Sequence, residues 1–340
     1  YTNGLSQFAF ENSLSISDLP TFISTTTSNQ LRPSLANTLK TPPRILSLQS
    51  GGKDSLLTAT LLKNSQQDFT AWYISSSANF PHILTEIGAK TLQIATRHLD
   101  KGQLATAKSL GGKNGHVPIT YIVQSLALVQ AIINHDNLIL TSIGQEGNEP
   151  HAFIGSLQVN HQWSKTWQAE QLFAEYVKNY VDPNIQIGSP LRSFTELKIA
   201  ELFAKYCWHD YGHKFSSCNN ANYTQNKNNT TLAWCGECPK CANSYLLFAP
   251  FLPKSELTSL FGRFDLLAKP SLIDHFKGLL GIDHIIKPFE CVGDIDELRY
   301  AYHHKLADYA DLPFSVPPSN FDKNRPAPAQ NLIDLPLKTI

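Results

Sequence analysis

The fold is decided by one stretch, RILSLQSGGKDS at residues 44–55. Its first half is a short apolar run that predicts a buried β-strand. Its second half is a turn rich in serine and glycine, and a helical pattern continues from Asp54 to about Lys63. A strand, a glycine turn and a helix N-terminus in this order are typical of α/β proteins that bind an anionic group.

Short apolar runs recur along the first half of the chain, and each predicts a strand. They lie at 69–74, 91–96 and 137–141, and a long helical pattern at 119–133 separates the last two. Strands that alternate with helices favour a parallel sheet with helices on both faces. We therefore predict a Rossmann-like α/β fold for this part of the chain.

Beyond His151 the patterns become mostly helical. They cover 164–181, 239–247, 255–261, 271–280 and 294–306. Residues Ser193 to Glu196 have the form of a capping box, which opens a further helix. We predict four parts: a helix (4–11) with a linker at 1–43, a nucleotide-binding domain at 44–150, a mostly helical substrate- and zinc-binding part at 151–312, and a Pro-rich tail at 313–340.

Composition excludes several classes of protein. Hydrophobic residues make up 42% of the 340, which is enough for a buried core and argues against disorder. Lys+Arg and Asp+Glu number 28 each, so the formal charge is zero and a polybasic nucleic-acid binder is not expected. No apolar run approaches the ~18 residues of a membrane helix, and the first 30 residues lack a signal-peptide pattern. We expect a cytoplasmic protein with no membrane or nucleic-acid partner.

The turn at 50–55 has the composition of a phosphate site. Gly51 and Gly52 let the backbone approach an anion closely, and the helix dipole adds partial positive charge. Ser50 and Ser55 supply hydroxyl donors. We predict that Lys53 adds a full positive charge and that Asp54 holds Mg²⁺ against the phosphates. The alternative is a simple glycine turn followed by a helix cap.

This hexapeptide resembles the pyrophosphate loop of the N-type ATP pyrophosphatases. The resemblance implies an adenine nucleotide alpha hydrolase-like fold. It also implies ATP as a substrate, cleaved between its α and β phosphates. Enzymes of this type adenylylate an oxygen, usually of a carboxylate, carbonyl or amide, and release pyrophosphate.

A cysteine cluster predicts a structural metal site. Cys235, Cys238 and Cys241 follow Cys-x-x-Cys-x-x-Cys spacing, and Cys218 can complete a tetrahedral four-thiolate shell. A closed shell of this kind suits structural Zn²⁺. An iron–sulfur cluster and incidental cysteines are the alternatives. The related 7-cyano-7-deazaguanine synthases carry a similar late cysteine cluster that binds zinc.

Two further cysteines lie outside that cluster. Cys207 follows an apolar helix and is expected in the core. Cys291 is expected to be buried, and a reactive thiol is the alternative interpretation.

A set of stretches, taken in order, resembles the UDP-N-acetylmuramoyl-L-alanyl-L-glutamate epimerases of the MurL type. The resemblance runs from residue 1 to about 299. Two departures stand out: the fourth strand continues into residues 143–149 rather than Ser-Asn-Glu, and Asn220 replaces an arginine. The matching stretches are 1–10, 114–118, 159–165, 234–240, 249–252 and 287–293.

This resemblance implies a bacterial enzyme of cell-wall precursor synthesis. Such an enzyme inverts the terminal L-Glu of UDP-MurNAc-L-Ala-L-Glu to D-Glu with ATP and Mg²⁺. Adenylylation has a physical reason, because a proton next to a carboxylate is hard to remove while the carboxylate keeps its charge. The acyl-adenylate lets the carbonyl accept charge as an enolate, so a base can remove the Cα proton.

The candidate bases are His116, His161 and Lys165, with Glu290 and Cys291 behind them. His116 lies in a turn before a helix, near the ligand edge of an open α/β sheet. His161 and Lys165 are four residues apart, so a helix would place them on one face. Lys165 could equally bind an anionic group of the substrate. Arg97 and Arg192 could also bind such an anionic group. For all of these residues the alternative is a structural role in a turn or a position on the surface.

Other functions stay open at this point. One is a 7-cyano-7-deazaguanine synthase-like enzyme that forms an amide or nitrile, and another is an epimerase of a different peptide. tRNA thiolation would need a basic groove, which the balanced charge disfavours. A zinc-stabilised interaction module with a vestigial nucleotide site is the non-enzymatic alternative. The sequence does not indicate an oligomeric state.

Overall fold

A five-stranded parallel sheet forms the centre of the computed structural model. The structure describes residues 2–21, 23, 42–145, 147–225, 230–323, 332, 333 and 335. The order of the strands is β3-β2-β1-β4-β7, and a separate antiparallel hairpin pairs β5 with β6. The strands are β1 (Ile45–Leu48), β2 (Phe69–Ser75), β3 (Thr91–Thr96), β4 (Leu138–Leu140), β5 (Ala152–Ile154), β6 (Leu157–Val159) and β7 (Gln186–Gly188).

Eleven α-helices lie in the described ranges of the chain. The first half contains α1 (Ser6–Glu11), α2 (Lys53–Asn64), α3 (Lys101–Ser109), α4 (Ile119–Asn134) and α5 (Trp167–Tyr176). The second half contains α6 (Glu196–Tyr206), α7 (Trp208–Tyr211), α8 (Pro239–Phe248), α9 (Lys254–Ser259), α10 (Ile273–Leu279) and α11 (Ile295–His303). Within the described ranges, no helix has the length and apolarity needed to cross a bilayer.

The sheet is buried on both faces, as alternating side chains require. Leu46, Trp72 and Ile139 point to one face, where they pack with Ala127 and Ala131 of α4. The neighbouring positions, which include Ile45 and Leu138, belong to the larger cluster formed with α2, α6 and α8. The prediction of a parallel sheet with helices on both faces is therefore confirmed. The finer prediction, an adenine nucleotide hydrolase-like fold, stays a prediction.

The strand order creates a crevice at the carboxyl ends of β1 and β4. The chain continues outward from β1 to β2 and β3 on one side, and from β4 to β7 on the other. In an open parallel sheet, the point where the order reverses is where ligands bind. The predicted phosphate turn follows β1 at this point.

The C-terminal half packs around α8, which is buried from Lys240 to Phe248. Helices α6, α10 and α11 surround it. The rings of Phe203, Phe215 and Phe248 lie 4.6–5.8 Å apart and fill the space toward the sheet. This half is thus joined to the sheet by a continuous core.

Several local predictions differ from the structure. The capping box at 193–196 is wrong: Thr195 caps α6 by accepting from the Lys198 N–H, and Glu196 turns inward. The predicted helix at 164–181 begins later, at Trp167, and after Tyr176 it continues to Val181 as a wider, π-helical turn. Strand β7 was not predicted, since only three residues form it. It joins the sheet from within the part predicted to be helical.

The two ends of the chain are only partly described. The predicted helix at 4–11 is present as α1. Much of the predicted linker, residues 24–41, and the end of the predicted tail, residues 336–340, lie outside the described residues. The beginning of the tail packs against α11, where the Ser319 hydroxyl donates to the Asp296 carbonyl at 2.5 Å.

Candidate active site

A pocket of about 320 Å³ occupies the crevice between β1 and β4. The phosphate turn supplies part of its lining, and Lys165 and residues between 216 and 291 supply another part. Apolar side chains and hydroxyl groups complete the lining. The lining residues include Leu48, Ser50, Gly52, Asp54, Ser55, Ile74, Val123, Ser142, Lys165, Ser216, Asn219, Asn222, Lys240 and Cys291.

The phosphate turn is held by its own hydroxyl groups. The backbone N–H of Ser50 donates to Ser55 Oγ at 3.2 Å, and Ser55 Oγ donates to the Gly52 carbonyl at 3.2 Å. Gly51 adopts a φ of +79°, which disfavours any side chain. Helix α2 begins immediately after Gly52, so its N-terminal partial charge faces the pocket region. Ser50, Gly52, Asp54 and Ser55 line the pocket.

Lys53 does not extend into the pocket. Its side chain is buried, and Nζ donates to Asp54 Oδ1 at 2.7 Å and to Glu196 Oε2 at 2.6 Å. Burial alone would lower the pKa of Lys53, but the Asp54 and Glu196 carboxylates more than offset it and raise the pKa above its usual value. The ammonium therefore stays charged and joins α2 to α6. The prediction that Lys53 contributes its charge directly to an anion is corrected.

Two lysines and a cysteine form another part of the pocket lining. Lys165 Nζ donates to Cys291 Sγ at 3.1 Å. Lys240 Nζ donates to the backbone carbonyl of the same cysteine. All three residues line the pocket. Sequence reasoning placed Cys291 behind the other candidates and missed Lys240, which lies inside the cysteine motif.

A buried guanidinium fixes the position of Lys165. Arg192 has no exposed surface, and its Nε donates to Glu170 Oε2 at 2.8 Å. Its Nη1 donates to the carbonyls of Gly144 at 2.6 Å and Lys165 at 3.0 Å. Arg192 is thus committed to backbone and carboxylate partners, and its predicted role in anion binding is corrected. Arg97 is exposed at the end of β3 and does not line the pocket.

Three histidines form a cluster behind Lys165. The ring of His161 lies 5.0 Å from that of His116 and 6.1 Å from that of His151. Burial is the first cause that lowers the pKa of each, to about 2 for His161 and about 3 for His151. All three are therefore neutral near pH 7. None of them lines the pocket, and His151 was not among the sequence candidates.

The tautomer of His161 follows from its neighbours. Gln7 Nε2 donates to Glu11 Oε1 at 2.6 Å, so the Gln7 Oε1 atom, 2.9 Å from His161 Nδ1, is the acceptor there. Nδ1 therefore carries the proton, and Nε2 presents a lone pair. This Nε2 is buried with no hydrogen-bond partner among the described residues. The predicted helix across 161–165 is wrong, because Gln162 is left-handed at φ +54°.

The four predicted metal-ligating cysteines lie together. The sulfur of Cys218 is 3.5 Å from that of Cys235 and 3.6 Å from that of Cys238. The sulfur of Cys241 is 3.7 Å from Cys235 and 3.5 Å from Cys238. A tetrahedral ion with metal–sulfur bonds of 2.3 Å would set these distances near ~3.8 Å, so the cluster has the size of a four-thiolate shell.

The backbone around the cluster also suits metal thiolates. The Gly236 N–H lies 3.3 Å from Cys241 Sγ, and the Ala221 N–H lies 3.4 Å from Cys218 Sγ. Such N–H groups stabilise sulfur that carries negative charge. Cys207 is remote from this shell and buried in the core, where burial raises its pKa to about 12.

Stretches far apart in the sequence converge beside the pocket. The His116 N–H donates to Glu11 Oε2 at 3.1 Å, and the Phe289 ring stacks on His151 at 5.5 Å. Asn219 Nδ2, which also lines the pocket, donates to Glu290 Oε2 at 2.9 Å. The segments 1–10, 114–118, 159–165 and 287–293 therefore share one location.

The two departures noted in the sequence lie in this neighbourhood. Glu149 is paired with Lys287 and accepts from the Ile295 N–H at 3.1 Å. Glu146 lies outside the described residues. Asn220 begins the turn at 220–225 that follows Cys218.

Comparison with known proteins assigns the chain to a family. The MurL N-terminal domain matches residues 1–189, and the MurL C-terminal domain matches residues 214–313. The chain belongs to the MurL family. The first matched domain ends directly after β7, so it includes the whole sheet, in contrast to the division at 150 suggested by sequence patterns.

Three relatives carry the name UDP-N-acetyl-alpha-D-muramoyl-L-alanyl-L-glutamate epimerase. The protein from Xanthomonas oryzae pv. oryzae is 33% identical over 302 residues, which are 88% of this chain and 64% of the relative. Those from Salinispora tropica and a Micromonospora species are 32% and 31% identical, over 87% of this chain in each case, and over 62% and 64% of the relatives. The MurL chain described here thus spans less than two thirds of their length.

Removing the Lys53 charge should destabilise the protein strongly. In Lys53→Met the Glu196 carboxylate stays buried without its ammonium, which costs about 3–5 kcal/mol of unfolding free energy. Adding Glu196→Leu should recover part of the loss. Urea unfolding measures both, and Lys90→Met, which removes an exposed pair with Asp68, is the control that should change little. Equal stability of Lys53→Met and the control would contradict this role.

Two glycines allow strain and crowding to be separated. Gly51 and Gly111 both have positive φ, but a Cβ at Gly51 would meet Leu232 Cδ1 at 2.5 Å, whereas nothing lies within 4 Å at Gly111. We expect Gly111→Ala to cost about 1–2 kcal/mol from the left-handed backbone alone. Gly51→Ala should cost more, because Leu232 must also move. Thermal unfolding of the two variants tests this, and identical losses would show that crowding at Gly51 has no effect.

Proposed function

We propose that this MurL protein epimerises the terminal glutamyl residue of UDP-MurNAc-L-Ala-L-Glu and uses ATP to do so. The proposal rests on its family and on one observation: a single pocket is lined both by the phosphate turn and by Lys165 and Cys291. Nucleotide-binding and proton-transfer groups therefore face the same space. The chemistry would belong to the cytoplasm, where thiols stay reduced and UDP-linked precursors are made.

The two kinds of lining suggest how a nucleotide would lie. Leu48, Ile74 and Val123 form an apolar part near the carboxyl ends of β1 and β2, which suits an adenine ring. Ser50, Gly52 and Ser55 would hold phosphates through hydroxyl and backbone N–H groups. Asp54 is the pocket carboxylate that would hold Mg²⁺, which prefers oxygen ligands shared with phosphate.

Adenylylation would remove the obstacle to deprotonation. A carboxylate oxygen of the peptide attacks the α phosphate of ATP, the bond between the α and β phosphates breaks, and pyrophosphate leaves. A base then removes the Cα proton, and the electron pair moves onto the activated carbonyl as an enolate. Proton return from the opposite face inverts the centre, and water releases AMP and the D-Glu product. The fixed ammonium groups of Lys165 and Lys240 would stabilise the negative charge of the enolate.

Isotope labelling tests the reaction. When the protein is incubated with ATP, Mg²⁺ and the precursor in D₂O, we expect AMP, pyrophosphate and a D-glutamyl product that carries one deuterium at Cα. When the α-carboxylate of the glutamyl residue is labelled with ¹⁸O, AMP should gain one ¹⁸O, because that oxygen bridges carbon and phosphorus in the acyl-adenylate. Mass spectrometry and chiral analysis after acid hydrolysis are the measurements.

The controls separate this activity from its rivals. Omission of ATP should abolish both deuterium uptake and inversion. AMP formation with no deuterium at Cα, but with an amide or nitrile product when ammonia is present, would instead indicate a synthase of the deazaguanine type. Inversion of the glutamyl residue without AMP formation would contradict the acyl-adenylate.

We also propose that Cys218, Cys235, Cys238 and Cys241 hold one structural Zn²⁺. The closed four-sulfur shell leaves no position for a reacting water, so the ion would act on the fold. It would join the loop that contains Ser216 and Asn219 to the start of α8, which carries Lys240. Both of these segments line the pocket.

Metal analysis tests the zinc site. We expect one zinc per chain, and Cys238→Ser should lose the metal and lower the unfolding temperature. Cys207→Ala is the matched control, because its thiol is buried in the core away from the shell and should leave the zinc content unchanged. Iron together with acid-labile sulfide would point to an iron–sulfur cluster, and a metal-free protein of normal stability would exclude a structural metal.

A further inference from the structure

Cys291 lines the same pocket as the phosphate turn. Its sulfur accepts from Lys165 Nζ at 3.1 Å, and both groups line the pocket. A neighbouring ammonium stabilises the thiolate form of cysteine. The other cysteines differ in setting: four form the sulfur shell, and Cys207 is buried against Thr60 at 3.3 Å.

The position of the Cys291 backbone is fixed on several sides. Lys240 donates to its carbonyl, and the Gly293 N–H donates to Asn243 Oδ1 at 2.9 Å. On the other side, Asn219 binds the Glu290 carboxylate, and the Phe289 ring stacks on His151. Groups that act on a reacting atom need this kind of support, because small displacements are costly to catalysis.

We propose that the Cys291 thiolate, paired with the Lys165 ammonium, is the group that exchanges the Cα proton on one face of the activated glutamyl residue. This inference rests on the proposed function and extends it to a named residue. The alternative geometry, in which His116 or His161 performs this step, is disfavoured because neither histidine lines the pocket.

The proton transfer balances without an added reactant. The thiolate takes the Cα proton and becomes a thiol, while the C–H electron pair moves onto the carbonyl of the acyl-adenylate. A proton from a second, solvent-exchangeable donor forms the new C–H bond on the opposite face. After hydrolysis, the thiol returns its proton to solvent, and Lys165 keeps its charge throughout.

Two partial reactions separate this step from adenylylation. Peptide-dependent exchange of labelled pyrophosphate into ATP reports formation of the acyl-adenylate, and deuterium uptake from D₂O reports loss of the Cα proton. In Cys291→Ser we expect pyrophosphate exchange to stay within about twofold, and epimerisation to fall by at least about 100-fold, as for loss of an acid–base group. Deuterium uptake should be lost from one of the two epimers when each is supplied as substrate.

Matched variants complete the experiment. Cys207→Ala should leave both partial reactions unchanged, and Cys291→Ala should repeat the result of Cys291→Ser if the serine variant is unstable. Lys165→Gln should lower deuterium uptake, and Lys165→Arg should restore much of it, since the positive charge beside the sulfur is kept.

Each remaining outcome overturns one specific statement. Unchanged deuterium uptake from both epimers in Cys291→Ser would overturn the role of Cys291. Parallel loss of pyrophosphate exchange would make Cys291 a binding or folding residue and would overturn it as well. Loss of all uptake in Lys165→Arg, with Cys291→Ser active, would identify Lys165 as the base. If the wild-type protein showed no peptide-dependent pyrophosphate exchange, the proposed function itself would fail.

Discussion

The buried ammonium of Lys53 is the interaction on which the rest of the site depends. It follows directly after the glycine turn, yet it reaches away from the crevice to Glu196 at the start of α6. A buried charge of this kind is tolerated only when it has close partners of opposite sign. The pair therefore joins α2, which begins at the phosphate turn, to α6, while Ser50, Gly52 and Ser55 of the turn line the pocket.

Arg192 performs a similar task on the other side of the crevice. Its guanidinium binds Glu170 and the carbonyls of Gly144 and Lys165, so it joins the segment after β4, the turn before α5 and α5 itself. Both cations bind carboxylates or carbonyls of the protein itself, so they are not available to a ligand. The cations that line the pocket are Lys165, which precedes α5, and Lys240, near the start of α8.

Local patterns predicted the elements well where neighbouring residues decide the structure. The strand at 91–96, the helix from about 119 and the turn at 50–55 follow from alternation, from helical periodicity and from glycine. Partners distant in the sequence could not be predicted in this way. Glu196 looked like a cap because capping depends on spacing, but its carboxylate is drawn inward by Lys53, which lies 143 residues earlier.

In the candidate site, too, local sequence predicted some features, whereas contacts between distant segments could not be predicted. The clustering of Cys235, Cys238 and Cys241 was predictable because they share one short motif, and the structure brings Cys218 to them. The spacing of His161 and Lys165 suggested that one helix face carries both, but the left-handed Gln162 shows that no helix spans them. The contact of Cys291 with Lys165 had no local signal, because the two residues lie in different segments of the chain.

The Lys165 and Cys291 contact spans 126 residues of sequence, and this separation has a consequence for folding. Contacts that close long loops are made late, since the chain must first lose the entropy of the intervening segment. A nascent or truncated chain that stops near residue 189 would contain the sheet and the glycine turn but only half of the crevice. Such a chain would lack Glu196, the partner of Lys53, as well as Lys240 and Cys291, so the lining of the pocket is completed only when the later residues have folded onto the sheet.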